Sequence, residues 1–83
     1  NSFNLNNNNC LVELNLGFNQ IEKISSEFYN LINLKFLDLS YNNLKTIESY
    51  SFKNNYNLRK LWLNGNSIKK LGKNSFLGLN QLE

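Results

Sequence analysis

The chain has 83 residues, a net charge of +3, 41% hydrophobic residues, and neither histidine nor proline. That length fits one domain at the small end for a self-sufficient core, and the composition argues against disorder. No apolar run approaches the roughly 20 residues that cross a bilayer, and Cys10 alone allows no internal disulfide and, without histidine, no zinc site.

Taken in chain order, residues 1–10 hold the run Asn6-Asn7-Asn8-Asn9, which reads as a solvated loop in a chain whose asparagine content matches AT-rich coding. No basic flank and apolar stretch open the chain, so no signal peptide is expected within it. The segment reads as the irregular end of a preceding unit or as a degenerate cap. From Leu11 onward a repeat is plain. Leu11-Val12-Glu13-Leu14-Asn15-Leu16-Gly17-Phe18-Asn19-Gln20-Ile21 opens a unit over 11–33. Leu34-Lys35-Phe36-Leu37-Asp38-Leu39-Ser40-Tyr41-Asn42-Asn43-Leu44 opens the next, over 34–57. Leu58-Arg59-Lys60-Leu61-Trp62-Leu63-Asn64-Gly65-Asn66-Ser67-Ile68 opens a third, over 58–81, and Leu82-Glu83 starts a fourth. The starts lie 23, 24 and 24 residues apart. Each unit continues with an apolar residue (Ile24, Ile47, Leu71) and then a phenylalanine (Phe28, Phe52, Phe76).

Within each unit, apolar and variable residues alternate over Leu14-Asn15-Leu16, Leu37-Asp38-Leu39 and Leu61-Trp62-Leu63, the pattern of a short half-buried strand. One strand per unit predicts a parallel sheet with two internal leucine rows. The turn after each strand leaves backbone groups unsatisfied, and Asn19, Asn42 and Asn66 stand where a carboxamide can both donate and accept.

The spacing resembles the typical class of the leucine-rich repeat family, LxxLxLxxNxLxxLxxxxFxxLxx, over roughly residues 11–83. The resemblance implies an α/β fold: a right-handed solenoid with short parallel strands on its concave face and irregular or 3-10 turns on its convex face. It also implies an asparagine ladder from Asn19, Asn42 and Asn66 and a phenylalanine spine from Phe28, Phe52 and Phe76. Two departures stand out: the first unit is one residue short between Ile24 and Phe28, and Asn55 replaces a leucine in the second. Tyr56 turning inward would fill that second place. Neither end carries a convincing polar cap, so the chain reads as a fragment of a longer array that is able to self-associate through its ends.

Function should then sit on the variable strand positions. The register predicts lateral rows of Glu13, Phe36 and Lys60, then Asn15, Asp38 and Trp62, then Gly17, Ser40 and Asn64, with Phe18 and Tyr41 at the edge and Gly65 in the equivalent place. Glu13, Asn15, Phe36, Asp38, Tyr41, Lys60, Trp62 and Asn64 are the candidate partner-binding residues. Phe36 and Trp62 lead, because the core does not require them and interface hot spots favour large aromatics. Asp38 and Lys60 either orient a partner or pair across neighbouring strands. Cys10 is a free thiol or pairs outside this chain.

Catalysis is disfavoured. There is no histidine to act as base, Glu13 and Asp38 have nothing to enclose a substrate, and no glycine-rich phosphate loop is present. No cofactor is expected. The charge is uneven, with residues 1–41 summing to −2 and residues 42–83 to +5. Lys45, Lys69, Lys70 and Lys73 fall on turns leading to the convex side, away from Trp62. Nucleic acid is thus an unlikely partner, because strand tracking wants lysines beside stacking aromatics. A protein ligand is the expectation. The typical repeat with its phenylalanine spine is similar to those of Toll-like receptors and matrix or adhesion proteins, which implies an extracellular or cell-surface place. The alternative is an intracellular scaffold or regulatory arm that recruits a partner to an attached enzyme.

Overall fold

The computed structural model describes residues 10–83, so the Asn6–Asn9 run lies outside the described residues. Strands β1 (Glu13–Asn15), β3 (Phe36–Asp38) and β5 (Lys60–Trp62) form one parallel sheet in that spatial order. Their register pairs Glu13 with Phe36 and Phe36 with Lys60, and likewise Asn15 with Asp38 and Asp38 with Trp62. Those pairings reproduce the lateral rows expected from the repeat length. A second parallel sheet, of two-residue strands, joins β2 (Lys23–Ile24), β4 (Thr46–Ile47) and β6 (Lys70–Leu71).

The rest of each coil returns through turns closed by i to i+3 bonds, such as Leu31 N–H to Phe28 O (3.0 Å) and Asn55 N–H to Phe52 O (3.0 Å). No helix occurs among the described residues. The convex side is therefore built of turns, as expected, while the second sheet was not foreseen. Two residues per unit are too few to show alternation.

Apolar rows run along the coil interior. Leu34, Leu37, Leu39, Leu44, Ile47 and Phe52 of the middle unit are fully buried, whereas Leu14, Leu16, Leu61 and Leu63 in the flanking units are only partly covered. The spine forms as expected, with Phe28, Phe52 and Phe76 stacked at centroid spacings of 6.1 and 6.0 Å. Phe76 keeps 38% of its surface exposed because no further ring covers its outer face.

The asparagine ladder also forms, unequally. Asn42 Nδ2 donates to Leu16 O and Leu39 O, both at 3.0 Å, and its Oδ1 accepts from Ile21 N–H at 3.1 Å. Asn66 Oδ1 accepts from Asn42 N–H (3.1 Å) and Leu44 N–H (3.0 Å), while its Nδ2 reaches back to Leu39 O (3.0 Å). Asn19 donates only within its own turn, to Leu16 O and Gly17 O, and is exposed.

Both departures from the repeat have structural answers. Tyr50 and Asn74 occupy equivalent places in the second and third units, at φ 59° each. The shorter first unit has no such left-handed residue between Ile24 and Phe28. Asn55 corrects the second expectation: it is itself fully buried, and Tyr56 stays 47% exposed. Its Nδ2 donates to Phe28 O (2.9 Å) and Leu31 O (3.0 Å), which an outward tyrosine does not require. Asn54 and Asn57 do the same beside it, donating to Tyr29 O (3.1 Å) and Ile32 O (2.9 Å). Asparagine content here is thus partly architectural, stitching one convex turn to the previous one.

Asn55 Oδ1, however, has no partner. A buried unsatisfied acceptor costs about 1–3 kcal/mol, whereas Phe28 O and Leu31 O keep backbone partners in Leu31 N–H and Leu34 N–H. Asn55→Leu removes the orphan and adds apolar burial, against two lost hydrogen bonds and some overpacking. We expect a net gain of about 1 kcal/mol, read as a higher urea midpoint at unchanged m-value. A clear loss would show that the Nδ2 bonds outweigh the orphaned oxygen.

Candidate binding face

Because side chains alternate along a strand, placing Leu14, Leu37 and Leu61 in the core forces their neighbours outward. Glu13, Asn15, Lys60 and Trp62 are exposed, and Phe36 and Asp38 are half-buried in the central strand. Glu13, Asn15, Phe36, Asp38 and Trp62 line one shallow concavity of about 310 Å³. Trp62 retains 41% exposure there, so its indole is available although its backbone carbonyl accepts from Leu39 N–H (2.8 Å).

Asp38 is held in place locally. One carboxylate oxygen accepts from Ser40 N–H at 2.9 Å and from Ser40 Oγ at 2.6 Å. Asn15 Oδ1 accepts from Gly17 N–H at 2.9 Å, the same turn one unit earlier. These short-range bonds fix both side chains at the strand ends without help from a partner. The ion pairs among the described residues are Lys23–Glu48 and Arg59–Glu83, each 3.3 Å, so Asp38 and Lys60 are not paired across the strands. Of the two readings left open, cross-strand pairing is therefore removed. Lys60 is left exposed on the face, beside Phe36 in the register.

The third row behaves differently from the first two. Ser40 is buried, while Asn64 is exposed and its carbonyl accepts from Tyr41 N–H at 2.9 Å. Just beyond lie Phe18, Tyr41 and Gly65, all in the left-handed region at φ 57°, 55° and 74°. The rings of Phe18 and Tyr41 stack at 4.8 Å with an 11° interplanar angle, and Tyr41 lies over Gly65, where any Cβ would overlap the ring. An exposed aromatic ledge therefore lies just past the ends of β1 and β3, with Phe18 79% and Tyr41 51% accessible.

Comparison with known proteins decides the family. The leucine rich repeat pattern matches residues 10–54 and 32–83, which together span the described chain. The chain belongs to the leucine-rich repeat family. It is similar to chaoptin of Drosophila melanogaster, 40% identical over 72 residues that make up 86% of this chain and 5% of that protein. It is also similar to Tsukushi-A of Xenopus laevis, 46% identical over 67 residues, 80% of this chain and 19% of that protein. The chain therefore spans a small part of the relatives it matches. No solved structure matches it.

As a leucine-rich repeat segment, the chain is a macromolecule-binding module whose repeat residues are committed to structure. Against that background, the strand residues facing outward and the ledge are side chains that the repeat itself does not require. The ledge was foreseen only as separate edge residues. The missed signal was the pairing of a bulky ring at 41 with a glycine at 65, at the same place one unit on. Cys10, one residue before the first repeat start, is exposed. Among the described residues no cluster of metal-ligating side chains occurs, and no helix is long and apolar enough to cross a membrane.

Proposed function

We propose that the chain is a protein-binding segment of an extracellular receptor or matrix protein, engaging its ligand through the outward face of β1, β3 and β5. The observation that carries this reading is Trp62: a large aromatic, 41% exposed, that the core does not use, at the end of the Asn15–Asp38–Trp62 row. Phe36 beside it, Asp38 fixed by Ser40, and unpaired Lys60 supply an apolar centre with charges of both signs around it. Such a composition suits a protein ligand, whose own surface offers apolar anchors within a polar rim. The extracellular assignment draws on the typical repeat and its phenylalanine spine, as in the receptors and matrix proteins the sequence resembles.

The test is a binding screen against secreted, cell-surface and cytosolic proteins, followed by variants. Trp62→Ala should weaken the captured ligand by about 2 kcal/mol, with the unfolding midpoint nearly unchanged. Leu61→Ala, one residue away but facing the core, should lower stability and binding together. A Trp62 variant that binds at full affinity removes the anchor of this reading. Ligands found only among cytosolic proteins would instead favour the scaffold role.

A further inference from the structure

A second surface, on the other sheet, carries its own chemistry. The row one residue ahead of β2, β4 and β6 reads Glu22, Lys45, Lys69, joined by Lys45 N–H to Glu22 O (3.0 Å) and Lys69 N–H to Lys45 O (2.9 Å). Lys45 O also accepts from Lys70 N–H at 3.1 Å, so three lysines are tethered at one carbonyl. All three are exposed, and so is Lys73 in the turn that follows. None of these four takes part in the ion pairs found among the described residues. Glu48, the nearby carboxylate, is already engaged by Lys23 at 3.3 Å.

Adjacent strands lie about 4.8 Å apart, and like charges placed side by side at that spacing destabilise a sheet. Glu22 flanks Lys45 on one side of the row, but no carboxylate among the described residues pairs with Lys45, Lys69 or Lys70, and a bound polyanion would relieve their repulsion. Lys69 and Lys70 border a broad open depression of about 690 Å³, together with Thr46, Ser49, Gly72 and Glu48, whose carboxylate is held by Lys23. No aromatic ring lines it, so bases would find no stacking platform of the kind single-stranded nucleic acid uses. No arginine lines it either, so carboxylates of an acidic peptide would find no bidentate fork. Lysine point charges beside the Thr46 and Ser49 hydroxyls suit sulfate esters and sugar hydroxyls distributed along one chain.

We propose that the lysine-lined face of the second sheet binds a sulfated polysaccharide, independently of the ligand on the first sheet. The test uses the whole chain and a sulfated heparin octasaccharide, titrated by calorimetry at low and at physiological ionic strength. Binding should weaken with salt, as exposed charges are screened over about 8 Å at 0.15 M. K45Q/K69Q/K70Q should lose at least tenfold in affinity, with an unfolding midpoint equal to or above that of the parent, since the lysine repulsion is removed. K45R/K69R/K70R, which keeps the charge, should bind like the parent. K35Q/K53Q/R59Q removes the same three charges elsewhere and should bind within about twofold of the parent, as surface charges outside the contact contribute little. Equal loss in both glutamine variants would mean diffuse net charge and would overturn the proposal. So would the absence of binding at low salt, or tighter binding to an oligothymidylate or to anionic phospholipid vesicles than to the octasaccharide.

Discussion

Phe52→Ala should unfold at a sharply lower denaturant concentration than the parent, with a loss of about 3–5 kcal/mol. Phe52 is fully buried and is sandwiched between Phe28 and Phe76 at 6.1 and 6.0 Å, near parallel to both. Truncation removes the ring's transfer energy, opens a cavity that the flanking rings cannot close without shifting the turns, and breaks two stacking contacts at once. Each such contact adds about 0.5–1.5 kcal/mol beyond burial. Phe76→Ala makes the control: the ring is 38% exposed and has one stacked neighbour, so the cost should be clearly smaller. Equal losses at the two positions, measured by urea titration, would show that the spine acts as loose filler instead of a continuous stack. For a chain this small, a loss on the Phe52 scale approaches the whole of its folding free energy.

The second large effect belongs to Asn42. Asn42→Ala deletes the acceptor of Ile21 N–H and the donor to Leu16 O, Leu39 O and Ser40 O. The carbonyls keep other partners, since Asn19 Nδ2 reaches Leu16 O, Asn66 Nδ2 reaches Leu39 O, and Phe18 N–H reaches Ser40 O. Ile21 N–H has no such substitute and sits on a residue only 4% exposed. A stranded buried donor costs about 1–3 kcal/mol, so the variant should lose at least that much. Asn19→Ala touches only bonds within its own exposed turn and should fall well below it. Comparable costs at 19 and 42 would mean that the ladder is no more than a set of local turns.

These two cases also show what the sequence carried. The 23–24-residue period placed the strands of the first sheet, their register and the inward leucine and phenylalanine rows, because parallel stacking leaves a coil only one way to repeat. Asn42 and Asn66 were legible for the same reason: a carboxamide at the end of each strand answers a defined backbone need. Unequal weights within a row were not legible. Asn19 and Asn42 look alike in the pattern, and only the coils on either side make one exposed and the other buried. Asn55 was misjudged because a polar residue at an apolar position suggested that Tyr56 should replace it. Carbonyls of the preceding turn, invisible in the repeat, give the amide two acceptors and let it stay inside. The Phe18–Tyr41 ledge depends likewise on a missing Cβ one unit away, a relation between units instead of a property of either. On the candidate face, the rows followed from register, but the Asp38–Ser40 bond that leaves Lys60 unpaired needed side-chain geometry.

The long-range hydrogen bonds that join the coils link residues 21 to 27 apart, such as Ile21 with Asn42 and Asn66 with Leu39. Among the described residues the sewing therefore runs between adjacent turns of chain, as in other stacked repeats. Tension applied to the two chain ends would meet one interface at a time: two ladder edges, one amide step and one pair of rings. Each interface that yields frees a coil of about 24 residues, roughly 80 Å when fully drawn out. Mechanically the chain is a short ratchet that lengthens in equal steps, and its middle coil, buried on both sides, should be the last to give way.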